Sequence, residues 1–400
     1  MLAERYVRLV LAVGQHDPDY VDAYHGPPDW RPAASAPPRP LDALQVEARA
    51  LSAALEGSDG HALDEGRRAC LAAQVRAVEG RLRMLAGQRL AFDEECRVLY
   101  DAVAPTHDEA EFAQALTALE ELLPGDGPLV ERYDRYRAAF AIPPERLDVV
   151  FARAIEHARA VTRAHVDLPI GETFTVEYVT GRSWSGYNWY QGGARSLIQV
   201  NTDLPVFVDR AVDLACHEGY PGHHVYNALL ERDLVGDRGW IEFTVYPLFS
   251  PQSLLAEGTA NFGIEVALPG EERTLFEREA LYPVAGLDPS RAGEYALVQS
   301  VVQRLSYAGN EAARRYLDGR AGRDDTVAWL ERYAMMPRPR AEQRVRFFEQ
   351  YRSYVINYNV GEDMVRGYIE RQGGTREAPA RRWAAFSELL VTPMPPSALA

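Results

Sequence analysis

Eight residues near the middle of the chain, His217-Glu218-Gly219-Tyr220-Pro221-Gly222-His223-His224, constrain the fold more than any other stretch. On a helix, the residue four after His217 would share its face, but that residue is Pro221. The next imidazoles come six and seven residues on, at His223 and His224. Seven residues of undistorted helix rise about 10 Å, too far for two ring nitrogens to meet at one point. The backbone must therefore bulge or break. Pro221 and Gly222 supply the means, since proline withholds an amide hydrogen and glycine tolerates unusual φ/ψ.

A chain folded back in this way crowds imidazoles and a carboxylate together, in a sequence with only nine His. Such groups are what zinc binds, and a Glu directly after the first ligand is where zinc hydrolases keep their base. His217 is the expected first ligand, with His223 or His224 as the second. The third should come from another helix. Residues 254–265 read as helical with a small-residue face, and Glu257 and Asn261 lie one turn apart on it. A Glu there is costly to bury unpaired, and coordination removes that cost. Glu257 is the expected ligand and Glu265 the alternative.

Composition narrows the chemistry. All 43 cationic residues are Arg, so Schiff-base catalysis, pyridoxal phosphate attachment and a Walker-A phosphate loop are excluded. A net charge of -15 argues against a nucleic-acid surface. Cys70, Cys96 and Cys216 are too few and too scattered for a disulfide framework or a cysteine zinc site. Glu4, Arg5 and Arg8 interrupt the first apolar run, and no stretch reaches about 18 apolar residues. The expectation is a soluble cytoplasmic protein with no membrane partner.

The first 165 residues read as a helical region, with apolar periodicity at 41–55 and 63–85. Thr106-His107-Asp108-Glu109 has the form of a capping box for a helix reaching Leu123. Pro143-Pro144 opens a helix carrying Val149, Ala152, Ile155 and Ala158, and the Pro-rich stretch 27–40 reads as a linker or wrapped loop. From Thr173 the period becomes two, predicting strands around 174–178 and 196–201. Between them, 180–195 is rich in Gly, Ser, Trp and Tyr, as befits a binding loop or a packed hairpin connection. Pro205 leads into a helix toward the His cluster, and helical patterns resume from Pro251. The expected class is mainly α, zincin-like, with a small antiparallel sheet beside the metal-binding helix. The catalytic region spans 166–400, continuous with the helical region 1–165.

His217-Glu218-x-x-Pro221-Gly222-His223-His224, with Glu257-Gly258 some 40 residues on, resembles the bacterial domain-of-unknown-function 885 family, regarded as zinc metallopeptidases. Val200-Asn201-Thr202, Asp17-Pro18-Asp19-Tyr20, and the Tyr-x3-Tyr-x2-Gly spacing of Tyr354, Tyr358 and Gly361 are also similar to that group. The layout more distantly resembles thimet oligopeptidase, angiotensin-converting enzyme and carboxypeptidase Taq, whose second zinc His directly follows a Gly. That likeness favours His223 over His224. The family's usual Glu-Gly-Trp-Ala-x-Tyr-x-Glu becomes Glu257-Gly-Thr-Ala-Asn-Phe-Gly-Ile264, so its last Glu is missing or displaced to Glu265.

The resulting expectation is one zinc ion per chain on His217, His223 and Glu257, with an open position for water. Glu218 acts as general base and then protonates the leaving amine. Tyr358 is the first candidate for the oxyanion donor, followed by Tyr354 and His224. Asn201, Tyr354 and Arg344 are candidate substrate contacts. The edge of strand 197–201 is positioned to pair with an extended peptide, and Arg344 or Arg346 to hold a carboxylate. A hydrolase of non-peptide amides and a non-catalytic zinc-stabilised protein are the alternatives.

Overall fold

Where apolar residues recur every three or four positions, the backbone is helical, and this covers most of the chain. The computed structural model describes residues 1–33 and 35–399. The fold is mainly α, with a small sheet beside the His217 segment.

Helices Leu41–Glu56 and Glu65–Leu85 match the periodicity. The capping box forms two residues later than expected. The Asp108 side chain accepts from the Glu111 amide at 3.1 Å, and the Glu111 carboxylate accepts from the Asp108 amide at 3.2 Å. Helix Leu147–Arg163 follows Pro143-Pro144, but Val149 and Ala152 face outward. The bulkier stripe of Leu147, Val150, Phe151 and Ala154 takes the core instead. Stretch 27–40 carries the short turn Pro28–Trp30; Ala34 within it lies outside the described residues.

Five strands are formed among the described residues. β1 (Val21–Tyr24) pairs antiparallel with β5 (Val245–Pro247), more than 200 residues away. β2 (Thr173–Val179), β3 (Gly186–Tyr190) and β4 (Arg195–Asn201) form a sheet in the order β2-β4-β3. The two strands expected from the sequence, β2 and β4, run parallel rather than antiparallel; β3, in the stretch read as a loop, pairs antiparallel with β4, so this sheet is mixed. The central position of β4 corrects one expectation: both its edges are already paired, and the outer strands are β2 and β3, of which β3 lines the cleft.

Two apolar cores meet at a pair of helices. One core joins residues of the first 133 positions to residues from 245 to 360, and the other runs from Phe140 to Leu399. Helix Pro251–Ala267 gives Leu254 to the first and Ala256, Phe262 and Val266 to the second. It is apolar nearly all round because it is buried nearly all round. Helix Ile356–Arg371 does the same with Val360 and Val365. The two cross with glycine against glycine. A Cβ on Gly258 would lie 2.4 Å from the Gly361 carbonyl oxygen, and one on Gly361 2.7 Å from that of Leu254. Among the described residues, no helix is long and apolar enough to cross a membrane.

Candidate metal centre and cleft

Helix Val208–Leu214 continues into a widened π turn, Ala215–Gly219, which ends at Tyr220. The Gly222 amide then donates back to the Cys216 carbonyl at 2.9 Å. A Cβ at Gly222 would lie 1.9 Å from the His217 carbonyl oxygen, so this return path requires glycine. His223 opens the next helix, His223–Leu229. The break thus replaces the helical rise with a fold-back, and the His217 and His223 rings end 4.7 Å apart between centroids.

Glu257 enters from helix Pro251–Ala267, which starts with Pro251 behind a Ser250 cap. Its Oε2 lies 3.3 Å from His217 Nε2, and its Oε1 lies 3.7 Å from His223 Nε2. The three ligand atoms all lie within 4.8 Å of one another. Ligands each about 2.0–2.1 Å from a tetrahedral zinc stand about 3.3–3.4 Å apart, so the trio fits one such ion with small adjustments. Tyr354 donates its hydroxyl to Glu257 Oε1 at 2.8 Å. Oε2 is buried and has no aligned hydrogen-bond donor. A buried carboxylate oxygen in that condition is costly unless a cation meets it.

Asn261 fixes the orientation of His217. Its Nδ2 donates to the Tyr358 carbonyl at 2.8 Å, which leaves its Oδ1 to accept from His217 Nδ1 at 2.9 Å. Nδ1 therefore keeps its proton, and Nε2, which faces Glu257 and His223, is the nitrogen whose proton a metal would displace. Burial works against charge on His217, but contact with Glu257 and the nearby Glu218 outweigh it and raise its pKa to about 9. Burial dominates at His223 and lowers it to about 4. Burial also opposes ionisation of Glu257, yet the two imidazoles hold it below the usual carboxylate value.

Glu218 is 4% exposed. Its carboxylate forms no hydrogen bond or ion pair among the described residues, while Asn188 of β3 donates to its backbone oxygen at 2.7 Å. Burial, reinforced by Glu257, raises its pKa to about 7. Both glutamates and both imidazoles open onto a cleft of about 720 Å³. β3 forms one wall of it, and Asp22 of β1 contributes another carboxylate. Burial, then Glu257 and Glu218, push Asp22 up to about 7.

The structure brings His217, Glu218, His223, Glu257, Tyr354, Tyr358 and Arg344 to this cleft. His224 turns the other way. Its Nδ1 meets Ser196 Oγ at 2.8 Å and its Nε2 meets Glu172 at 3.1 Å, beneath the Phe174 and Tyr220 rings. Consecutive helical residues point about 100° apart, so His223 and His224 cannot both face the cleft. Glu265 is likewise elsewhere, enclosed by Arg366, Arg376 and Arg382. The Asn201 side chain donates to the Arg182 and Trp184 carbonyls and shapes the loop behind β3 rather than the cleft. Arg346 is exposed. Sequence reasoning placed Asn261 beside Glu257 without seeing its bond to His217, which depends on another element. It missed Asp22, two residues past the singled-out Asp17–Tyr20 segment.

Neither a protein-family model nor a curated protein matches the chain. Its fold is similar to the crystal structure of "the putative lipoprotein from Colwellia psychrerythraea", with a TM-score of 0.54 and 15% identity. The match covers 93% of this chain and 69% of that one. At that identity the likeness concerns the fold alone.

Proposed function

We propose that the chain is a zinc-dependent hydrolase of peptide bonds, related to the domain-of-unknown-function 885 metallopeptidases and built on a zincin-like helical scaffold. The observation that carries this reading is the bond from Asn261 to His217 Nδ1. It keeps the proton on Nδ1, so that Nε2 is the nitrogen left for a metal where His223 and the Glu257 Oε2, which accepts no aligned hydrogen bond, converge.

His217, His223 and Glu257 would hold the zinc, which supplies Lewis acidity to a water and to the substrate carbonyl. Tyr354 steadies Glu257, and Asn261 steadies His217. Glu218 takes the proton of the attacking water at its free carboxylate and passes it to the departing amine. A closed structural zinc site has no use for such a group. Tyr358, whose hydroxyl has no hydrogen-bond partner among the described residues, is placed to donate to the developing oxyanion. β3, as the open sheet edge on the cleft, is available to pair with an extended peptide. The three cysteines are all free and buried, which accords with a cytoplasmic setting.

The test is Glu218→Gln alongside His217→Ala. Elemental analysis should find stoichiometric zinc in the first and little in the second. Peptide turnover by Glu218→Gln should fall at least about 100-fold. Undiminished turnover would remove Glu218 from the mechanism, and full zinc in His217→Ala would remove that ligand.

A further inference from the structure

Helix Arg338–Tyr351 sends two arginines, Arg340 and Arg344, into the cleft one turn apart. Like charges at that spacing repel, and in a chain of 58 acidic residues against 43 Arg carboxylate partners are plentiful. Neighbouring arginines have found theirs: Arg338 pairs with Glu331 and Glu342, and Arg210 with Asp213. Among the described residues, neither Arg340 nor Arg344 forms an ion pair. The only side-chain hydrogen bond of Arg340 goes to Gln343 at 3.5 Å. Arg344 Nε is buried and without a partner, and its guanidinium carbon lies 4.7 Å from the Phe347 ring centre and 5.9 Å from that of Tyr358. Burial, followed by the charges of Arg210, Arg344 and Arg137, lowers the Arg340 pKa to about 10.

We infer that Arg340 and Arg344 together seat the free C-terminal carboxylate of the substrate, so that the enzyme works from the carboxyl end of short peptides. This rests on the hydrolase reading for the reaction, but not for the binding. A guanidinium offers parallel N–H donors matched to a carboxylate, and aromatic rings beneath it preserve its orientation. Asp19, Asp22, Glu218, Glu257 and Glu362 also line the cleft and repel a carboxylate. Of the other arginines there, Arg210 is paired with Asp213 and Arg182 is exposed, which leaves Arg340 and Arg344 as the half-buried, unpaired cations. Tyr358 connects the two sites. Its ring adjoins Arg344, and its carbonyl accepts from the Asn261 that orients His217.

The probe is N-acetyl-glycyl-phenylalanine as the free acid and as the amide, titrated calorimetrically into the zinc-loaded Glu218→Gln chain. The acid should bind at least about tenfold more tightly than the amide. Adding Arg344→Gln should abolish that contrast, with melting temperature and zinc content reporting that the variant is folded. Equal affinity of acid and amide for the parent chain, or no binding of the acid, overturns the inference without any variant. If the acid binds selectively but wild-type chain cleaves no peptide, the carboxylate seat stands and the peptidase reading falls.

Discussion

Replacing Gly258 with alanine tests how the centre is held together. The new Cβ would meet backbone atoms of Gly361 at 2.4, 2.5 and 2.9 Å, so no side-chain rotation relieves it. Real Cβ contacts essentially never fall below 3.0 Å, so the helices must separate by at least 3.0 − 2.4 = 0.6 Å. Overpacking of this kind costs about 1–3 kcal/mol, partly offset by the roughly 1 kcal/mol by which alanine outranks glycine in a helix. Two bonds cross the same seam, Tyr354 to Glu257 and Asn261 to the Tyr358 carbonyl, each 2.8 Å long. An opening of 0.6 Å along them leaves both near 3.4 Å, at the edge of hydrogen bonding. Losing such outer partners costs about 10–100-fold in metal affinity. The assay is zinc competition against a chromophoric chelator, with thermal unfolding in parallel. Gly293→Ala, where the added Cβ meets nothing within 4 Å, is the control and should be neutral or slightly stabilising. Zinc affinity within twofold of wild type, together with melting equal to the control, would refute the idea that glycine contact sets the spacing.

Tyr358→Phe should keep zinc and fold while lowering kcat about 100-fold or more, if the hydroxyl meets the oxyanion; a drop confined to KM would deny it that part. Glu265 gives a pH prediction. Burial raises its pKa, but Arg382, Arg366 and Arg376 overcome that and hold it at about 2, against an ordinary 4.5. A lowered folded-state pKa stabilises above the unfolded value and is lost as pH falls from about 4.5 toward 2, here up to about 3 kcal/mol. Urea unfolding of wild type and Glu265→Gln should therefore differ most at neutral pH, with the difference shrinking below about pH 4.5 and vanishing toward pH 2; a constant difference would contradict this.

The fold-back that brings His217 and His223 together was legible because its constraint is local. Pro221 at the position a helix would give to a ligand already required the fold-back that Gly222 makes. Glu257 was legible because a carboxylate in a helix buried all round needs a partner. Other parts depend on distant elements. β3 carries the Gly, Trp and Tyr composition of a loop and becomes a strand only by pairing with β4. The choice of His223 over His224 for the cleft is made by Ser196 and Glu172, which give His224 a full set of partners on the opposite side. In helix Leu147–Arg163 the expected stripe through Val149 and Ala152 gave way to one through Leu147, Val150, Phe151 and Ala154.

The cleft gathers Asp22, the segment around His217, Glu257 and then Arg344 to Tyr358, and synthesis delivers them in that order. Once residue 257 has emerged, a growing chain carries the three side chains of the proposed zinc site, but not Tyr354 or Tyr358, whose bonds hold Glu257 and Asn261 in place. It also lacks the proposed carboxylate seat and oxyanion donor, which come some 80 to 100 residues later. On the proposed reading, the centre is complete only when the last of these residues has been made, and a half-made chain carries an unfinished site.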